Sequence, residues 1–212
     1  MADILILFGT LVLGYVLGSF NTSVIVGRIY GKDIRDHGSK GAGLTNTFRV
    51  LGKSAAGFVL AGDVMKGVIA CLVGLLIGIY FYSGDPNVSL LAAGVGAVIG
   101  HNWPVYFGFK GGKGVLTAGV VLFMANWIIG LICLGVFVAI VLLTRYVSLG
   151  SICAAVLAVA ISFFPVFGNT FYFYVFISLM ALMIIFRHAK NIQRLILGTE
   201  NKLATEKLLF GK

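Results

Sequence analysis

Long apolar runs without charge alternate along this chain with short islands rich in Gly, Lys, Ser and Asn. The runs fall at residues 4–26, 67–82, 88–100, 115–125, 127–143, 152–164 and 171–186. Uninterrupted apolar segments of this kind predict helices inside a bilayer, where every backbone group must be satisfied within its own segment. Several fall short of the ~20 residues that a perpendicular span needs, so their helices must extend into the flanking islands. Residues 115–143, 29 without a charge, allow two readings. One helix at ~1.5 Å per residue would be ~43 Å long and overshoot a ~30 Å hydrocarbon core. A turn near Ala125 and Asn126 instead makes two short helices.

Composition fixes the class. A mean hydropathy of +1.04, with 59% hydrophobic and 11% charged residues, excludes an ordinary soluble domain. The expected fold is an all-α integral membrane protein, one polytopic domain over residues 1–212. No basic residue precedes the first apolar run, which is long enough to span, so it is expected to stay in the mature protein rather than act as a cleaved signal. Cys71, Cys133 and Cys153 lie within apolar runs without metal-ligand spacing and read as small buried hydrophobes.

Charge parity chooses between the two readings of residues 115–143. With a turn near Asn126 there are seven spans, and all 16 basic residues, from Arg28 to Lys212, fall on one side. A single long span would carry Arg145 and the basic C-terminus across, against the positive-inside rule. The expected topology is therefore N-terminus outside and C-terminus cytoplasmic, with residues 84–86 and 165–170 in external turns. The net charge of +9 does not imply nucleic-acid binding, because the cations sit in juxtamembrane loops with no room for a nucleic-acid fold.

The islands carry the candidate chemistry. In residues 38–49, Gly38, Gly41 and Gly43 permit tight turns, while Ser39, Lys40, Thr45, Asn46 and Arg49 supply hydroxyls, an amide and cations. Such a loop can aim several N–H groups at an oxyanion. Residues 108–114, with Lys110, Gly111, Gly112 and Lys113, repeat the idea just ahead of a span, whose helix N-terminus also favours anions. Neither is a Walker A loop, since Gly114 stands where Ser or Thr is required after Lys113. One such loop reads equally well as a flexible connector; two on one side favour a phosphate site. Asp63 and Lys66, three residues apart on one helical face, each cost about 2.5 to 3.5 kcal/mol at a bilayer centre and are expected to pair inward. Structural pairing and a substrate role both fit them. In the last island, His188, Asn191 and Arg194 recur on one helical face.

Taken in order, Asp33-x-Arg35-x-x-Gly38-Ser39, Gly43-x-Thr45-Asn46-x-x-Arg49, Gly62-Asp63-x-x-Lys66-Gly67, Gly100-His101-x-x-Pro104, Phe109-Lys110-Gly111-Gly112-Lys113-Gly114-Val115, Arg145-Tyr146-Val147-Ser148-Leu149 and Arg187-His188-x-x-Asn191-Ile192-x-Arg194-Leu195-x-x-Gly198-x-Glu200 resemble the motifs of the bacterial acyl-phosphate:glycerol-3-phosphate acyltransferase family, PlsY. The resemblance spans essentially the whole chain. It departs from the usual Gly-Ser-Gly-Asn-x-Gly-Ala-Thr-Asn at Lys40, Gly41 and Leu44, which replace Gly, Asn and Ala.

The resemblance implies transfer of a fatty acyl group from long-chain acyl phosphate to the 1-hydroxyl of glycerol 3-phosphate, releasing inorganic phosphate, at the cytoplasmic face of a bacterial inner membrane. It implies that Ser39, Gly41, Gly43, Thr45, Asn46 and Arg49 hold one phosphate and Lys110, Gly111, Gly112 and Lys113 the other, with the assignment of loop to phosphate open. Ser148, His188 and Asn191 would close around the glycerol and the reacting carbonyl, with Asp63, Lys66, His101 and Arg194 in support. His101 is expected to brace its loop rather than catalyse. No cofactor or metal is expected, because no carboxylate, His or Cys cluster has ligand spacing. Two rival classes fit less well. A coenzyme-A-dependent acyltransferase needs His-x-x-x-x-Asp, but Ala42, Tyr106 and Gln193 stand five residues after the three histidines. An organic-phosphate transporter would usually carry internal repeats, and the halves show none.

Overall fold

The computed structural model describes residues 1–167 and 170–203. Lys207, Lys212 and Asn169 lie outside the described residues. Regular structure among the described residues is helical throughout, as the apolar runs predict. The central helix is α5 (Pro86–Asn102), opened by an Asp85 cap with Pro86 in its first turn and buried on almost every side. The first apolar run breaks in two, α1 (Ala2–Gly18) and α2 (Thr22–Ile29), at a step where the Asn21 side chain caps α2 by accepting from Val24 N–H. α1 packs backbone to backbone on α5. A Cβ on Gly14 or Gly18 would collide with Ala93 or Ala97, and one on Gly96 or Gly100 with Leu11 or Tyr15, so these contacts require glycine.

α3 (Leu44–Leu51) is a short amphipathic helix following the first glycine-rich loop, and α4 (Lys53–Phe81) packs on α5. Hydropathy places this span at residue 67, but the helix starts at Lys53, because Asp63 and Lys66 turn inward and do not interrupt it. The expected turn is present: α6 (Val115–Ala125) and α7 (Trp127–Thr144) meet at Asn126, whose side chain caps α7 by accepting from Ile129 N–H. α8 (Val147–Ser162) and α9 (Phe171–Arg187) follow, and a 57° bend at His188 leads into α10 (Ala189–Ile196). By length and composition, four segments can cross a membrane: Ala2–Ile29, Lys53–Phe81, Pro86–Phe107 and Trp127–Thr144. The bent pair of α9 and α10 makes a fifth, and α6 and α8 are shorter apolar helices.

Candidate active site

A cavity of about 620 Å³ joins the islands. One end is polar, bordered by Ser39, Thr45, Arg49, Lys113, Ser148, His188, Asn191 and Glu200. The remainder runs between α6, α7, α8 and α9 along apolar side chains such as Leu122, Phe137, Ala155, Ala158, Ile177 and Met180. A charged head with a long apolar tail fits such a space better than a wholly polar molecule does.

The first loop is held from within by Asn46. Its Nδ2 lies within 2.9 Å of the Ile34 carbonyl and 3.0 Å of those of His37 and Gly41, and its Oδ1 accepts from Ser39 N–H at 2.8 Å. With those partners taken, the amide shapes the loop. Arg35 fastens this loop to the second, donating to Asp33 on one side and to the Phe107 and Lys110 carbonyls on the other. Hydrogen bonding from Arg35 holds the Asp33 carboxyl at about 2, below its ordinary 3.8. Lys40 occupies the left-handed region at φ +58°, where the family pattern has Gly.

The second loop lies against α5. Gly112 N–H donates to the His101 carbonyl at 3.0 Å, and the Arg187 guanidinium clamps the Gly111 and Gly112 carbonyls at 3.1 and 2.9 Å. Lys113 Nζ then donates to Asn191 Oδ1 at 2.7 Å. Burial pushes the Lys113 ammonium down to about 8; Glu200 opposes the shift, and Arg194, Arg49 and Arg187 add to it.

Glu200 is the hub of the polar end. Its Oε1 accepts from Ser148 Oγ at 2.9 Å and Asn191 Nδ2 at 2.7 Å, and its Oε2 from Arg194 Nε at 2.7 Å. Burial raises its pKa, but the hydrogen bonds from Arg194, Asn191 and Ser148 outweigh burial and keep the carboxyl below its ordinary value. His188 Nδ1–H donates to the Ile184 carbonyl at 2.8 Å, which leaves Nε2 as an acceptor in the neutral ring.

Comparison with known proteins agrees with this arrangement. Residues 8–198 match the family model described as glycerol-3-phosphate acyltransferase. The chain belongs to this glycerol-3-phosphate acyltransferase family. Relatives of that name include those of Thermoanaerobacter pseudethanolicus, 42% identical over 92% of this chain and 94% of the relative, and Bacillus subtilis, 38% identical over 91% and 95%. The solved integral membrane glycerol 3-phosphate acyltransferase PlsY (YgiH) in its glycerol 3-phosphate form is 35% identical, with TM-score 0.86 over 96% of this chain and 98% of that one. Its lysophosphatidic acid form gives 34% and 0.83 over the same shares.

In this acyltransferase, most of the residues singled out from sequence converge. Ser39, Gly41, Gly43, Thr45, Asn46, Arg49, Asp63, His101, Gly112, Lys113, Ser148, His188 and Asn191 all border the one cavity. Lys110, Gly111, Lys66 and Arg194 do not border it. Lys110 is exposed, Gly111 offers its carbonyl to Arg187, and Arg194 acts through Glu200. Glu200 is the functional residue that site reasoning from sequence passed over. It ends the last motif, and as an acid among basic neighbours it gave a signal, but only the fold brings Ser148 to it across 52 residues.

Proposed function

We propose that the protein transfers a fatty acyl group from acyl phosphate to the 1-hydroxyl of glycerol 3-phosphate, giving lysophosphatidate and inorganic phosphate, with no cofactor. The observation that carries this reading is a single cavity with two glycine-rich loops and cations at one end and an apolar slot at the other. Both substrates bear phosphate and one bears a long tail. Burying sixteen carbons at ~0.8 kcal/mol per CH₂ favours the bilayer by roughly 12 kcal/mol, so a slot between spans avoids extracting the tail.

Ser39, Thr45 and Arg49, with the backbone of the first loop, hold one phosphate, and Lys113, steered by Asn191, meets the other. Ser148, His188 and Asn191 surround the glycerol. The glycerol hydroxyl oxygen attacks the acyl carbonyl carbon, the bond from that carbon to the phosphate oxygen breaks, and the departing phosphate takes the hydroxyl proton. Lys113, Arg49 and backbone N–H groups stabilise the developing charge. The local geometry supports this direct route over an acyl-enzyme. His188 Nδ1 is bonded to a helix carbonyl rather than to a carboxylate, and Glu200 is occupied by Ser148, Asn191 and Arg194, so these residues form no Ser-His-acid relay.

The chain forms one polytopic domain of seven spans, counting the broken first segment and the bent last pair as one each and α6 and α8 as crossings. Its N-terminus lies outside and its C-terminus in the cytoplasm of a bacterial inner membrane, with the polar end of the cavity at the cytoplasmic leaflet. The purified protein is expected to make lysophosphatidate from palmitoyl phosphate and glycerol 3-phosphate in EDTA and to fail with palmitoyl-CoA. The reverse donor preference would refute the reading. A single cysteine at Asp85 in a Cys-free background is expected to react with an impermeant thiol reagent from outside.

A further inference from the structure

Two charges are buried in α4, one turn apart: Asp63 is 1% and Lys66 7% exposed, facing His101 of α5 at 3%. Lys66 Nζ lies 2.8 Å from Asp63 Oδ1 without hydrogen-bond geometry. It donates to the Phe20 carbonyl at 3.1 Å, in the break between α1 and α2, and meets His101 Nδ1 at 2.9 Å. An ammonium has only hydrogens to give, so Nδ1 accepts and the neutral ring carries its hydrogen on Nε2. That edge of the ring reaches the point where the two glycine-rich loops meet. A Cβ on Gly112 would collide with both His101 Nε2 and the Ala42 carbonyl oxygen. The His101 carbonyl accepts from Gly112 N–H as well, and the next residue is Lys113.

For stability alone, a buried ion pair offers nothing that two well-packed apolar side chains would not. An apolar pair, however, could donate neither to Phe20 nor to His101. We propose that Lys66 is a positioning residue for acyl transfer, acting through His101. It fixes the Nε2–H tautomer and the seat of the ring, and the ring and carbonyl of His101 set the position of Gly112, and so of Lys113 in the cavity. The inference rests on Lys113 being a phosphate ligand, as argued under the proposed function. It also assigns the Asp63–Lys66 pair, for which sequence allowed two roles, to positioning.

A double-mutant cycle tests it. The arms are wild type, Asp63→Asn with Lys66→Met, His101→Gln, and all three changes together, with Asp63→Asn alone as control. Asp63→Asn keeps Lys66→Met from leaving a lone buried carboxylate. Gln at position 101 brings an N–H₂ near the Nε2 position and has no tautomer to fix. The Asp63→Asn/Lys66→Met protein is expected to show KM raised about tenfold for one of the two phosphate substrates, with kcat within about threefold of wild type. Added to His101→Gln, the same pair should cost much less than tenfold further, because both changes act on one path. Four results would overturn the proposal: additive effects, no effect, a kcat loss with both KM values unchanged as for a smaller active fraction, or a double variant that does not fold. Wild type in the same assay separates the two readings, since absence of lysophosphatidate there would refute the function first.

Discussion

Removing the Glu200 carboxylate takes the shared acceptor from three donors at the polar end. Three donors converge on it, from Ser148, Asn191 and Arg194, and Ser148 and Asn191 are only 4% and 6% exposed. A hydrogen bond to a charged group contributes about 1.5 to 3 kcal/mol, and a buried donor left alone costs about 1 to 3 kcal/mol. Arg194 is about a third exposed, so its share is discounted for solvent screening. Glu200→Ala therefore removes on the order of 3 to 6 kcal/mol of interaction, divided between stability and transition-state binding. Asn191 also accepts from Lys113, so the loss reaches the cation proposed to meet the phosphate. If half of it falls on the reaction, kcat/KM drops by roughly ten- to a hundredfold. Glu200→Gln, which keeps a carbonyl for Ser148 and Asn191 but turns an N–H₂ group toward Arg194, should fall between the two. The assay is lysophosphatidate formation beside a thermal melt in detergent. Glu200→Ala within threefold of wild type in kcat/KM, with an unchanged melt, would refute the hub. Because the folded carboxyl titrates below its ordinary value of 4.5, its contribution is complete above that pH and is lost only as pH falls through the lower, folded value.

Lys113, held at about 8 against an ordinary 10.5, should lose its charge in the free enzyme as pH rises through about 8, so kcat/KM should fall there. Its depressed pKa penalises folding below that value and relieves the penalty above it, so activity should drop without a drop in melting temperature; Lys113→Arg should move the limb upward, and an unshifted limb would exonerate Lys113. Ala158 lines the slot ten residues along α8 from Ser148, a distance of about 15 Å at 1.5 Å per residue. An extended chain advances about 1.2 Å per bond, so Ala158→Phe should reduce kcat/KM for sixteen-carbon acyl phosphate while sparing eight-carbon donor, and equal loss at both lengths would place the tail elsewhere. Lys40→Gly, relieving φ +58°, should raise the melting temperature by the equivalent of about 1 kcal/mol. A lowered melting temperature would show that the Lys40 side chain has a stabilising role.

The apolar runs determined the helical membrane class without help from tertiary structure. A run such as 127–143 leaves backbone groups no water to bond, so a helix is the only local solution. Length and charge parity likewise announced the turn between α6 and α7, since a continuous helix would be too long and would carry Arg145 to the other side, whereas the cap that Asn126 gives α7 appears only in the structure. The glycine-rich loops declared themselves by composition, for their chemistry lies in a few adjacent residues. Tertiary structure decided the rest, wherever a property depends on groups distant in the chain. Hydropathy reads Asp63 and Lys66 as a boundary, yet their inward pairing lets α4 continue through them. Sequence offered Asn46 as a phosphate-loop residue, and only the fold showed that its amide also ties the loop together, through the carbonyls of Ile34, His37 and Gly41 and the N–H of Ser39. Glu200 became the hub only when α8 and α10 brought Ser148 and Asn191 to it, because hydrogen bonds depend on positions to a few tenths of an ångström and sequence spacing does not specify these between separate helices.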